Sequence, residues 1–250
     1  MNKKLAKALV VVVAKEPMPG KVKTRLCPEL SPADAAGLYR CFLLDRIREI
    51  STLTGVDRGI AYTPEEALET FSALTGDGFE LFPQCGDGLG ERLNNIFLDK
   101  LGQGYDAVAI VDSDSPDLPN SLVKESLWLL LSKQAEVVFG PCHDGGYYLV
   151  GLRKPHPALF RDIPWSTGNV LSVSLEKAGE LGLKVRLLSC WNDLDTFEDI
   201  LEFYSKYKDR PISDNGAVIQ TLGFLSRLEK VNQYMPKGST IVQGRIGRNS

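Results

Sequence analysis

Four cations, Lys15, Lys21, Lys23 and Arg25, fall within eleven residues of a loop that also holds Pro17, Pro19 and Gly20. The loop follows the run Val10-Val11-Val12-Val13-Ala14, which suits a strand covered on both faces. Two prolines and a glycine forbid that strand from continuing, so the charges lie at its carboxyl end, where open α/β sheets bind ligands. The whole chain carries a formal net charge of -3, so the clustering is local. It suits phosphate, and it is equally the composition of a solvated basic loop.

Carboxylates supply a second chemistry. Asp112-Ser113-Asp114-Ser115-Pro116-Asp117 directly follows the apolar run Val108-Ala109-Ile110-Val111. Mg2+ takes one or two carboxylates and completes its shell with phosphate oxygens and water, so Asp114 and one distant partner suffice. Asp193 or Asp195, in Trp191-Asn192-Asp193-Leu194-Asp195-Thr196, offers that partner. Asp and Ser after a strand also make a capping turn, and Thr196 with Glu198 and Asp199 is what a helix start favours. A third segment, Gly140 to Tyr148, contains Asp144-Gly145-Gly146-Tyr147-Tyr148. Its glycines allow close backbone approach and its tyrosines offer a stacking face or hydroxyls, although Asp-Gly-Gly also makes a hairpin turn with a tyrosine in the core. Cys142 beside His143 does not read as a nucleophile pair, because adjacent residues on an extended segment point to opposite faces.

The elements that position these residues alternate between strand and helix. Ser31-Pro32 reads as N-cap and first helical residue, and Ala35, Leu38, Tyr39, Phe42, Leu43, Ile47 and Ile50 recur at helical spacing. Strands are expected at 58–62, 79–82, 107–111, 136–139, 146–151 and 184–188. Helices are expected from Pro64 to Leu74, from Arg92 to Gly102, and over 121–131 and 170–181. Such a pattern predicts an α/β fold, a three-layer α/β/α arrangement around a mostly parallel, doubly wound mixed sheet. The reading divides the chain into residues 1–208 and a helical appendage with a polar tail over 209–250. Ile219, Leu222, Leu225 and Leu228 there mark one short amphipathic helix, suited either to cap the core or to meet a second copy.

Composition bounds the rest. With 250 residues, 43% hydrophobic and 24% charged, the chain can bury a full core. One basic loop on a slightly acidic chain argues against nucleic acid as a partner. Cys27, Cys41, Cys85, Cys142 and Cys190 are scattered without a C-x-x-C pair, which indicates neither a disulfide framework nor a zinc knuckle. No apolar run approaches the ~20 residues of a bilayer span and no secretory signal is evident, so a cytoplasmic location is expected.

Six ordered segments resemble a bacterial and archaeal family of uncharacterised transferases with the nucleotide-diphospho-sugar transferase (GT-A) fold, related to molybdenum-cofactor and phospholactate guanylyltransferases. They are residues 14–26, 84–92, 112–116, 144–152, 164–167 and 193–196, within a resemblance covering about 7–207. The resemblance implies a metal-dependent transferase that brings a nucleotide or nucleotide-sugar and a small-molecule acceptor together, by nucleotidyl transfer first and glycosyl transfer as the alternative; a non-catalytic nucleotide-binding module is the reading of another class. It implies a nucleotide site of Ala14, Lys15, Gly20, Lys23, Thr24, Arg25, Gln84, Gly86, Asp87, Arg92 and Asp112. It implies Asp114 and Asp195 as ligands of Mg2+ or Mn2+. Asp144, Gly145, Gly146, Tyr147, Trp165, Ser166 and Thr167 would face the acceptor. On this reading Lys23 and Arg25 neutralise leaving phosphates, Asp114 acts through the metal, and Asp144 is the available general base if a sugar is transferred. The order Asp87-Gly88 reverses the family's usual Gly-Asp.

Overall fold

The computed structural model describes residues 6–210 and 218–234. Continuous apolar runs build the central strands of seven, β1 (Ala8–Lys15), β2 (Asp57–Thr63), β3 (Glu80–Pro83), β4 (Ala107–Val111), β5 (Val137–Pro141), β6 (Tyr147–Leu152) and β7 (Val185–Leu187). They form one sheet in the order β3-β2-β1-β4-β6-β5-β7. β6 runs antiparallel to β4 and β5, while every other pairing is parallel. The mostly parallel mixed sheet expected from the alternation is therefore the sheet observed.

The helices are α1 (Pro32–Ser51), α2 (Leu68–Thr75), α3 (Leu89–Gly102), α4 (Asn120–Leu131), α5 (Val170–Glu180), α6 (Phe197–Tyr207), α7 (Ile219–Leu225) and α8 (Glu229–Tyr234). Because successive strand residues face opposite ways, β1 feeds two cores. Val10 and Val12 pack with Leu38 and Phe42 of α1, Val123 of α4 and Ile200 of α6. Leu9 and Val11 join the other core, with Leu93 and Phe97 of α3 and Ala178 of α5. Ser31 caps α1 as its spacing predicts, its hydroxyl accepting from the Asp34 N–H at 3.1 Å ahead of Pro32.

Boundaries differ from the sequence reading in places. The segment after Pro64 opens with a 3-10 turn, Glu65–Ala67, before α2 begins. α3 starts at Leu89, so Gly90, Glu91 and Arg92 belong to its first turn. The expected single helix around Ile219–Leu228 is two, since α7 closes at Ser226 and Asn232 Nδ2 of α8 donates back to the Ser226 carbonyl at 3.1 Å. α7 lies on α1: the Phe224 ring sits where a Cβ on Gly37 would be, and the buried Asp45 carboxylate accepts the N–H groups of Gln220 and Thr221. Val218, Leu225 and Val231 thereby join the α1-side core. The expected polar tail from Met235 lies outside the described residues.

Candidate active site

The loop after β1 is anchored by its apolar residues. Val22 and Leu26 are buried in the α1-side core, which leaves Lys23 between them with a left-handed backbone, φ 46°. A non-glycine residue there is strained, and such strain concentrates at functional sites. The Lys15 N–H donates to the Tyr39 hydroxyl at 3.0 Å, and Tyr39 shares a 2.8 Å hydrogen bond with the Ser113 hydroxyl. The start of the basic loop is thus tied to the acidic end of β4.

Two backbone contacts bring the distant acids together. The Leu194 N–H donates to the Asp114 carbonyl at 3.1 Å, which places Asp195 beside Asp114. Asp199 accepts from the N–H groups of Asp195 and Thr196, while Thr196 caps α6. Asp199 therefore serves the helix and also orients Asp195.

Lys23 Nζ lies 2.9 Å from Asp114 Oδ1 and 2.6 Å from Asp195 Oδ1, and its side chain is 5% exposed. Arg25 binds the other oxygen of Asp195 at 2.9 Å. Burial alone would lower the Lys23 pKa, but the two carboxylates outweigh it and hold the ammonium above the usual lysine value. Burial works against the Asp195 charge as well, and Lys23 with Arg25 overcomes it, leaving this carboxyl below its ordinary value.

At the neighbouring acids burial and like charge outweigh the nearby cations, Arg46 for Asp112 and Lys23 for Asp193. Burial first, and the Asp114 charge second, push Asp112 up to about 8. One Asp112 oxygen accepts from the Ser115 hydroxyl at 2.8 Å, whereas Oδ1 is buried with no hydrogen-bond partner. Burial, followed by Asp195 and Asp144, raises Asp193 to about 6. Cys142 Sγ and oxygens of Asp144 and Asp193 lie within 4.8 Å of one another, a spacing compatible with one shared ion. Burial, then Asp112, Asp193 and Asp144, raises the Cys142 pKa, so it stays a thiol.

A cavity of about 630 Å³ opens over these groups at the carboxyl ends of β1 and β4. Ala14, Lys15, Lys23, Thr24, Arg25, Gln84, Asp112, Asp114, Asp144, Gly146, Tyr147, Trp165, Ser166, Thr167 and Asp195 all line it. Gln84 Nε2 donates to the carbonyls of Ala14 and Ala61, clamping the ends of β1 and β2. The Tyr147 and Trp165 rings meet edge to face with centroids 6.3 Å apart. Tyr148 is the core tyrosine, buried, with its hydroxyl donating to the Ser189 carbonyl.

Gly20, Gly86, Asp87, Arg92 and Gly145 are not among the lining residues. The Gly86 carbonyl accepts from Arg92 Nε at 2.9 Å, and the Asp87 N–H donates to Glu91 at 3.0 Å, so this segment shapes the start of α3. The close approach expected at Gly145 is made by protein: with φ 88°, its α-carbon faces Gly168, whose carbonyl oxygen would collide with an added Cβ. That contact fixes residues 144–146 against the Ser166–Gly168 loop. Asp144 Oδ1 accepts from the Gly146 N–H at 2.8 Å, completing the turn.

Tyr39 and Ser113 escaped the sequence reading as site residues. Tyr39 sits on the apolar stripe of α1, and only its hydroxyl, at the far end of the ring, reaches the site. His143 belongs elsewhere, in a separate depression of about 310 Å³ lined also by Asp117, Trp191 and Lys206.

The seven-stranded, mostly parallel mixed sheet is of the nucleotide-diphospho-sugar transferase and nucleotidyltransferase type of fold. Residues 46–167 match a family described as an uncharacterized protein conserved in bacteria, DUF2064. A provisionally assigned nucleotide-diphospho-sugar transferase from Desulfovibrio desulfuricans G20 is 33% identical, with a TM-score of 0.81 over 92% of this chain and 99% of that one. The chain belongs to this family of uncharacterised, nucleotide-diphospho-sugar transferase-like proteins. More distant solved structures share the fold. CMP:2-keto-3-deoxy-manno-octonic acid synthetase complexed with CTP is 13% identical, with a TM-score of 0.53 over 81% of this chain and 99% of that one. A cytidylyltransferase from Leptospira borgpetersenii serovar Hardjo-bovis (strain JB197) is 12% identical, with a TM-score of 0.50 over 94% and 99%. No curated protein matches the sequence. No helix among the described residues is long and apolar enough to cross a membrane.

Proposed function

We propose that this protein is a divalent-metal-dependent transferase that takes a nucleotide or nucleotide-sugar donor and delivers part of it to a small acceptor. The observation that carries the reading is the convergence of Asp114 and Asp195 on one cation, beneath a cavity whose lysines and arginine all come from the β1 loop. The donor set fits Mg2+ or Mn2+: two carboxylates in contact with a buried cation, beside the unpartnered Asp112 Oδ1. Asp114 and Asp195 would hold the ion, which when bound supplies Lewis-acid neutralisation of donor phosphate. Lys15, Lys21, Lys23 and Arg25 bind and orient the phosphates. Val22 and Leu26, buried in the core, keep those cations aimed at the cavity. Little proton transfer is required if an anionic acceptor attacks phosphorus, and nucleotidyl transfer is the first reading on that ground.

One observation favours sugar transfer as the second reading. Asp144, Tyr147, Trp165, Ser166 and Thr167 form a wall of carboxylate, aromatic rings and hydroxyls, suited to a hydroxyl-bearing molecule. Asp144 would then take the proton of the attacking hydroxyl. The test is the leaving group. Incubation with nucleoside triphosphates and nucleotide-sugars, with Mn2+ present, should release pyrophosphate in the first case and a nucleoside mono- or diphosphate in the second. Absence of either product, together with no thermal stabilisation by any donor, refutes the transferase reading.

A further inference from the structure

We infer that Lys23 is an internal counter-cation for the acid pair, which it must vacate before a divalent ion can enter, so that ion and nucleotide bind cooperatively. The inference rests on the reading of Asp114 and Asp195 as metal ligands. Lys23 Nζ is 2.9 and 2.6 Å from one oxygen of each carboxylate. Mg2+ sits ~2.0–2.1 Å from its oxygen ligands, so an ion bridging the same two oxygens claims the space that the ammonium fills. Two cations at that position would also repel each other.

The move asked of Lys23 is local. Val22 and Leu26 stay anchored in the core on either side of it, so only the long, flexible side chain has to swing. Leaving the pair strips the ammonium of a side chain only 5% exposed of both its partners, which is costly unless an anion replaces them. The phosphates of a nucleotide in the cavity are that anion. Without nucleotide the ion competes against Lys23; with nucleotide Lys23 has a second place to bind. By linkage, the factor by which nucleotide tightens the ion is the factor by which the ion tightens nucleotide. Arg25 is the internal contrast. It bonds Asp195 through the other oxygen, is 65% exposed, and carries the same charge without filling the bridging position.

The test uses Mn2+ alone on the full chain without nucleotide, with affinity read by electron paramagnetic resonance and calorimetry. Lys23→Ala should tighten Mn2+ binding roughly 10- to 100-fold, because it removes charge and opens the position, whereas Arg25→Ala should gain only about two- to three-fold through charge. Lys23→Gly, which also relieves the left-handed backbone, repeats the measurement should the alanine variant fold poorly. Equal gains in the Lys23 and Arg25 variants overturn the inference while leaving the metal site intact. Mn2+ binding that survives Asp114→Ala and Asp195→Ala overturns the metal reading itself, and the inference with it.

Discussion

Asp193 and Asp195 stand on one strand-end loop with a single residue between them, and their acidity moves in opposite directions. Both are partly buried, so desolvation penalises the charge of each. Asp195 has Lys23 and Arg25 on its two oxygens and stays ionised. Asp193 faces Asp195 and Asp144 and is raised to about 6. The site therefore has a compensated half, where acid and cation hold each other, and an acid-rich half around Asp112, Cys142, Asp144 and Asp193. Pairing, more than depth of burial, separates the halves.

The comparison breaks most visibly at Asp195. Asp195→Ala leaves Lys23 buried with one partner and Arg25 with none of its carboxylate. Turnover should fall about 10²–10³-fold, and stability should drop by about 2–3 kcal/mol near neutral pH. The carboxyl is held below its ordinary 3.8, so its contribution is full above that value and is lost as pH falls through the lowered one. Chemical denaturation of wild type and variant should accordingly converge in strong acid, and a gap that persists there rejects the ion-pair account.

Gly145→Ala tests what holds the acid-rich half in place. An added Cβ meets the Gly168 carbonyl, and φ is 88°. We expect a loss of about 2–4 kcal/mol in denaturant unfolding, with donor affinity at the basic loop less affected than acceptor use. A wild-type melting curve would show that the two loops separate at little cost.

Asp193→Asn should act with the opposite sign to the Asp195 change. The folded state keeps this proton up to about 6 while the unfolded chain releases it near 3.8, so wild-type stability declines as pH rises between those values. In metal-free buffer the variant should be more stable by about 1 kcal/mol above pH 6, allowing for partial exposure, and equal to wild type below pH 4. Destabilisation above pH 6 would mean that the Lys23 charge outweighs burial and the neighbouring acids at Asp193.

Lys100, near the end of α3 away from the cavity-lining Leu89 and Leu93, gives the smallest effect. Its side chain is 1% exposed, and its ammonium lies 2.6 Å from Glu80, 3.1 Å from Asp99 and 3.9 Å from the Phe82 ring centroid. Burial opposes its charge, and the two acids raise its pKa above the usual 10.5. Because both acids are about half exposed, Lys100→Met should cost only about 1 kcal/mol at pH 8. That difference should fade as pH climbs above 10.5 through the raised value, which paired thermal melts at pH 8 and 11 can measure.

Local chemistry was legible in the chain: the valine run that becomes β1, its proline- and glycine-bent exit, the Ser31-Pro32 start of α1, and the Thr196–Asp199 cap. Each depends on residues a few positions apart, where propensity and hydrogen-bond geometry decide the outcome. The candidate acids were legible as residue types at strand ends. Their sorting was not. Lys23 seated between Asp114 and Asp195, Tyr39 tied to Ser113, and Gly145 pressed on Gly168 join segments far apart in the chain. Such contacts exist because strand order sets β1 beside β4 and the hairpin of β5 and β6 next to them. The sequence alone determined which charges stand at the sheet's ligand edge, whereas only tertiary structure decided which acid receives a cation. Burial and pairing act over a few ångströms in space, whatever the distance along the chain.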